Sequence, residues 1–322
     1  MFKNSMKPLL CFGELLIDFL NFNSAFEGGY DLPEFRQYPG GAPANVAAAV
    51  ALLGGDVRFL GQVGADRFGR FLIHAMQQVN VDTRYISIHP TAPTALAFVF
   101  LDDSGDRSFE FLREQSADVL MTPGDLPEGA FAKTGIFHFC SNTLTDSHIA
   151  DTTEAAINIA RAQGAVISFD VNLRHNLWRG KEAEFTVIQS FFKMADIVKL
   201  SREEADWLIE RGLSRDKWLQ SATAVWISDG GKRIEILSAN GQQQMQPPQV
   251  SVVDTTSGGD AFTGGLLHAL SVLGPESLDK LDARQIEQIT GFAATCGSIA
   301  VSRTGALPAL PVWDEVKEQW PF

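Results

Sequence analysis

Short apolar runs alternate along this chain with helical patterns, and that rhythm limits the fold more than any other feature. Residues 9–12 and 57–60 read as short buried strands near glycine-marked turns, with an alanine-rich helix over residues 42–53 between them. The rhythm returns as a helix over 150–163, a strand over 166–169, a helix over 185–194 and a strand over 197–200. Such alternation implies an α/β fold whose parallel sheet is flanked by helices. Residues 224–228 read as a further strand with 234–237 as its hairpin partner, and 260–273 and 284–303 as late helices. Two stretches break the pattern. Residues 14–39, and 94–113 with a turn at Asp102-Asp103-Ser104-Gly105-Asp106, read as β-ribbon and are expected to form a small sheet projecting as a lid. No repeat or linker interrupts residues 1–322, so one domain carrying this inserted lid is expected.

Composition removes several functions. Of 322 residues, 45% are hydrophobic and 20% charged, enough for a sizeable core. Acidic residues outnumber basic ones 39 to 26, giving a net charge of −13; that field repels phosphate backbones and anionic lipid, so neither nucleic acid nor membrane is an expected partner. The apolar run 9–20 holds Gly13, Glu14 and Asp18, too polar for a signal peptide and too short for a bilayer. Cys11, Cys140 and Cys296 are odd in number and far apart, which writes neither a disulfide framework nor a CxxC site and points to a reduced cytoplasm. GxxxxGK[ST], HExxH and GxSxG are absent, no histidine pair has zinc-ligand spacing, and His74, His138 and His268 read as packing or surface residues.

The most informative segment is DTTSGGDAFTGG at residues 254–265, read as joining an apolar strand at 250–253 to a helix. Paired glycines let a backbone approach a ligand and aim successive N–H groups at it, and a helix start adds partial positive charge, so the loop is built for an anion. Asp260 at that start is also what helix-dipole compensation alone would place there. Anion cradle and carboxylate together meet the needs of phosphoryl transfer: developing charge is stabilised while a base receives the acceptor's proton.

These residues resemble the C-terminal signature DTxGAGDxFxGG of the ribokinase/PfkB family of carbohydrate kinases. The likeness covers nearly the whole chain: GELLID at 13–18 is similar to the family's opening strand with its substrate aspartate, PGGAPAN at 39–45 to its GGxxxN element, and GQVGADRFG at 61–69 to its GxxGxDxxG element. The resemblance implies a ribokinase-like three-layer sandwich with a mostly parallel central sheet and a small β-sheet lid. It further implies Asp260 as the general base, with the backbone of Ser257, Gly258 and Gly259 as the anion hole. Ser257 and Gly258 replace the usual Gly-Ala, and a serine held at positive φ costs about 1 kcal/mol or more.

The implied sugar set is Asp18, Gly40, Gly41 and Asn45; a carboxylate, a close backbone and a side-chain amide suit a polyol, the lesser alternative being Asn45 as a helix cap behind a Gly40-Gly41 entry turn. FEFLREQSAD at 109–118 and FDVNLRHNLW at 169–178 resemble the bacterial fructokinase branch, which adds Arg113, Asn172 and Arg174, with Phe98 on a lid strand as a cover for the sugar ring. For the nucleotide, Lys199, Ser201 and Glu204 resemble the NxxE element, with Glu204 organising Mg2+ through water. Ser228 and Gly230 resemble the TxGxxG turn, where Asp229 is unusual beside phosphates. Ala294 replaces an asparagine frequent in related kinases. Asp254, Thr256, Ala300, Arg303 and Gly305 match a monovalent-cation site, the last four through backbone carbonyls. The implied activity is ATP-dependent, Mg2+-supported phosphorylation of D-fructose at C6, with K+ as a candidate activator, 2-keto-3-deoxygluconate, aminoimidazole riboside and ribose as alternative acceptors and a non-catalytic sugar sensor as the alternative class. A homodimer through the lid is expected.

Overall fold

The computed structural model describes residues 6–101, 107–320 and 322. Its strands are β1 (Leu9–Phe12), β2 (Leu16–Glu27), β3 (Tyr30–Gly40), β4 (Val57–Gly64), β5 (Asp82–His89), β6 (Leu96–Leu101), β7 (Arg107–Leu112), β8 (Ile136–Cys140), β9 (Val166–Asp170), β10 (Ile197–Ser201), β11 (Ala224–Ser228), β12 (Ile234–Ser238) and β13 (Gly241–Met245). The helices are α1 (Ala42–Leu52), α2 (Arg67–Gln78), α3 (Glu128–Phe131), α4 (Ser147–Ala162), α5 (Phe185–Met194), α6 (Arg202–Glu210), α7 (Gly258–Leu273), α8 (Ala283–Val301) and α9 (Trp313–Val316). Among the described residues no helix is long and apolar enough to cross a membrane.

The main sheet has the order β13-β12-β11-β10-β9-β8-β1-β4-β5, parallel from β5 to β11 and closed by the antiparallel hairpin β12-β13. Its central strands have no wet face. On β1, Leu9 and Cys11 enter the core shared with α1, α7 and α8, while Leu10 and Phe12 enter the core shared with α4, α5 and α6, which is why the run shows no polar alternation. The chain leaves β1 toward β4 and β5 on one side and later resumes at β8 on the other. Such a reversal of strand order opens a crevice beyond the C-terminal ends of the strands.

The alanine run of α1 has a packing reason. A Cβ on Gly264 of α7 would stand 2.5 Å from the Cβ of Ala49, so small residues on both helices let their backbones come close. That approach carries Asn45 on α1 to the start of α7.

The lid is a second sheet of order β3-β2-β6-β7. The expected turn at Asp102-Asp103-Ser104-Gly105-Asp106 falls outside the described residues. One expected strand is absent: residues 250–253 find no ladder partner, and only the amides of Val253 and Asp254 bond, both to the Val301 carbonyl, at 2.8 and 3.1 Å. These valines are exposed, and Val250 and Val252 line the crevice, so the apolar run marks a cavity wall and not a buried strand. In contrast, neither β5 nor β8 announces itself as an unbroken apolar run. β5 is an edge strand with mixed exposure, and β8 carries His138 in mid-run.

Candidate active site

A cavity of about 810 Å3 lies beyond the C-terminal strand ends, between the lid and the starts of α1 and α7. Alternation on β2 sets which lid face meets it. Asp18 pairs with Tyr38 on β3 and with Ala97 on β6, and Ala97 pairs with Phe111 on β7, so one face presents Leu16, Asp18 and Phe111 to the cavity. The opposite face carries Phe19 and Phe98, stacked at 5.2 Å, with Phe68 edge-on to Phe19 and Phe35 edge-on to Phe98. Phe98 therefore belongs to the lid's aromatic packing and does not line the cavity. Phe109 and Phe111, stacked at 6.0 Å on β7, take the place expected for it.

Gly41 and Gly40 shape the end of the cavity beneath the lid. Gly41 is the N-cap of α1 with φ 107°, and a Cβ there would lie 2.4 Å from the Glu14 carbonyl oxygen, so only glycine fits. A Cβ on Gly40 would lie 2.1 Å from Asp18 Oδ2, which means the carboxylate rests directly on the bare backbone. Asn45 caps nothing. Its Nδ2 donates to Asp260 Oδ2 at 2.8 Å, and its Oδ1 is buried without a partner. Asn172 and Arg174 also line the cavity; the Arg174 guanidinium bonds the Leu173 carbonyl at 3.0 Å, and among the described residues no carboxylate lies within salt-bridge distance of it.

Arg113 is placed differently from expectation. It does not line the cavity: its Nε bonds Asp118 at 2.6 Å and its Nη1 the Asn142 carbonyl at 2.8 Å, a buried ion pair where the lid rejoins the body. Its Nη2 is buried without a partner. Arginine matches carboxylate geometry, and here Asp118 supplies the carboxylate. Behind Arg113, Glu14 accepts from Ala42 N–H at the start of α1 and from Asn142 Nδ2, both at 2.9 Å. Burial raises the Glu14 carboxyl above its usual range, with Arg113 pulling the other way. Glu14 and Asn142 both line the cavity, and Asn142 Oδ1 is a second buried acceptor without a partner.

The loop 254–259 closes the far side. Ser257 is the N-cap of α7 in the left-handed conformation, φ 57°, so the serine accepts the strain the motif imposes while its hydroxyl bonds the Ala306 carbonyl at 3.3 Å. The first turn of α7 leaves the amides of Gly258, Gly259 and Asp260 outside the helical ladder, a ready anion site; only a long 3.5 Å contact to Thr255 involves Gly258 N–H. Asp260 is half-buried, and desolvation pushes its carboxyl up to about 6; Asn45 opposes the rise, Asp170 adds to it, and Lys199 and Arg174 oppose it. A carboxyl so tuned can receive a proton near neutral pH.

At the other end, Lys199, Ser201, Glu204, Ser228 and Gly230 all line the cavity. Ser201 and Glu204 form a capping box on α6: Glu204 Oε2 accepts from Ser201 N–H and Oε1 from Leu173 N–H, each at 2.7 Å. Asp229 turns to Lys232, 3.4 Å away, and stays out of the wall, which removes its repulsion. Pro247, Pro248, Val250, Ala294 and Val301 make an apolar end suited to a flat base. Behind the loop, Asp254 accepts from Thr256 N–H at 2.7 Å and Gly305 N–H at 2.8 Å, while Thr256 Oγ1 is buried without a partner. The Arg303 side chain bonds Glu315, and the carbonyl of Ala300, in the last turn of α8, accepts from Arg303 N–H at 3.2 Å.

Sequence reasoning missed Glu14, Asn142, Phe109 and Phe111. Period-two alternation over 107–112 would have found the two phenylalanines; Glu14 read only as polarity interrupting an apolar run, and Asn142 follows the unread strand β8.

The sequence pattern of the "pfkB family carbohydrate kinase" matches residues 6–313. A probable fructokinase-7 of Arabidopsis thaliana is 37% identical, covering 98% of this chain and 93% of its own length. Among solved structures, the ATP-bound fructokinase of Xylella fastidiosa superposes with a TM-score of 0.91 at 37% identity over 98% of both chains. The fructokinase of Vibrio cholerae O395 with fructose, ADP and calcium ion bound superposes at 0.84 with 31% identity, covering 98% of this chain and 100% of that one.

Proposed function

From the premise that this chain belongs to the pfkB family of carbohydrate kinases, we propose that it is a fructokinase, transferring the γ-phosphoryl of ATP to the C6 hydroxyl of D-fructose. One contact carries the reading: Asn45 Nδ2 on Asp260 Oδ2 at 2.8 Å, which joins the helix of the sugar loop to the carboxylate at the anion hole. In the reaction Asp18 and Asn45 hold sugar hydroxyls, the orphaned Asn45 Oδ1 accepting one of them. Asp260 takes the proton of the attacking hydroxyl, and the free amides of α7 bind the migrating charge. The Phe109–Phe111 face covers the apolar side of the sugar and excludes water, which would otherwise compete as acceptor.

Mg2+ fits this site as a companion of the nucleotide. Among the described residues no three His, Cys, Asp or Glu side chains cluster to hold a metal alone, and both Glu204 oxygens already accept an amide, so Glu204 would reach it through water. The ion supplies charge neutralisation on the phosphates. A potassium site at Asp254, Thr256, Ala300, Arg303 and Gly305 is supported by the buried, unpartnered Thr256 hydroxyl and by a double-mutant fructokinase of Vibrio cholerae O395 solved with potassium ion bound. The lid supports a homodimer: Phe26 and Tyr30, 73% and 71% exposed at the tip of β2-β3, are apolar surface a second lid would cover. Sedimentation at micromolar concentration showing only monomers refutes that pairing.

An ADP-release assay with fructose, 2-keto-3-deoxygluconate, ribose and aminoimidazole riboside tests the activity. Fructose is expected as the strong acceptor. Preference for another of the four refutes the fructose assignment, and turnover of none supports the sensor reading.

A further inference from the structure

We propose that Lys199 is a catalytic residue that binds the phosphoryl group in transit, and that Asp170 is the positioning residue that holds it there; this rests on the kinase reading above. The observation behind it is a cation where folding alone would not put one. Lys199 is buried on β10 yet lines the cavity, and its Nζ lies 2.9 Å from the point a Cβ on Gly259 would occupy. The ammonium thus fills the space that the missing side chain leaves, against the first turn of α7. A helix start repels cations, and burying a lysine costs free energy, so the placement works against stability on both counts.

Asp170 compensates. Its two oxygens accept from Lys199 Nζ at 3.1 and 3.3 Å, and Thr263 Oγ1, on the second turn of α7, donates to Oδ2 at 3.3 Å. Burial pulls the lysine's pKa down, but Asp170, Glu204 and Asp260 outweigh it and keep the ammonium protonated. An ammonium has three protons, and Asp170 engages two of its three directions, leaving one for a ligand oxygen in the cavity. Replacing such a buried pair by apolar residues is commonly neutral for folding or better, so structure alone does not require it. An anion seated between the α7 amides and this ammonium is bound from two sides.

In the transfer step the sugar O6–Pγ bond forms and the bond from Pγ to the bridging oxygen of ADP breaks. The hydroxyl proton passes to Asp260. Lys199 keeps its proton throughout and donates a hydrogen bond to a nonbridging phosphoryl oxygen, a contact that strengthens as charge develops there.

A double-mutant cycle of Lys199→Met, Asp170→Asn and the combined variant tests this, with kcat, KM and a binding readout. Lys199→Met is expected to lower kcat about 100-fold or more while leaving KM for fructose within about threefold, the signature of a donor used in the transition state. Asp170→Asn is expected to lower kcat by about tenfold, and the double variant to match Lys199→Met within about twofold, because a residue acting through Lys199 has nothing left to position. Wild-type protein is further expected to gain thermal stability from ADP, fructose and aluminium fluoride together beyond ADP and fructose alone, and Lys199→Met to lose that gain. A kcat for Lys199→Met within about fivefold of wild type, or additive effects in the double variant, overturns the proposal. If either single variant fails to fold, the double variant, which leaves no buried charge unpaired, decides alone: near-normal kcat refutes it. Wild-type protein that phosphorylates none of the four acceptors sinks the kinase reading instead.

Discussion

Replacing Asp260 by asparagine separates the chemistry of the site from its architecture. The amide oxygen that replaces the carboxylate can still accept from Asn45 Nδ2, now 2.8 Å from Oδ2, so the α1–α7 junction and the sugar loop should persist. What is lost is the proton acceptor. General-base catalysis is worth about 10²- to 10⁴-fold, so kcat is expected to fall by that factor, a barrier increase of about 3–5 kcal/mol, with fructose affinity changed by less than about threefold. Stability should move the other way. Desolvation raises the carboxyl from 3.8 to about 6 in the folded protein. A raised acid favours the folded state only while it is protonated, and that contribution is lost as pH climbs through about 6. Above that pH the wild type carries a half-buried, partly desolvated charge costing on the order of 3 kcal/mol, which the variant lacks. Coupled ADP-release kinetics with calorimetric melting at pH 8 measure both effects. Near-normal turnover, or a variant less stable than wild type at pH 8, refutes the reasoning.

The same ionisation sets the acid limb of the wild-type pH profile: kcat/KM should fall about tenfold for each pH unit below about 6, and a flat profile down to pH 5 contradicts the assignment. Gly41→Ala puts a Cβ 2.4 Å from the Glu14 carbonyl oxygen at φ 107° and should cost about 2 kcal/mol or more, seen as a lowered urea midpoint. Phe111→Ala should raise KM for fructose, whereas Phe98→Ala should lower the melting temperature and leave KM unchanged; the reverse pattern would exchange their roles.

Local chemistry written along the chain determined much of this protein. Strands buried on both faces declare themselves as unbroken apolar runs, as in β1 and β11, and a glycine pair before an acidic helix start declares an anion loop, because both depend on neighbours a few residues apart. Tertiary structure decided whatever depends on which face a side chain takes and what lies across from it. Phe98 and Phe111 are equal in composition and separated only by lid register. Arg113 turns inward because Asp118 and the Asn142 carbonyl receive it, and Asn45 reaches Asp260, 215 positions away, because Ala49 and Gly264 let two helices touch. Long-range contacts of this kind are fixed by packing geometry, and packing geometry leaves no periodic trace in a single sequence.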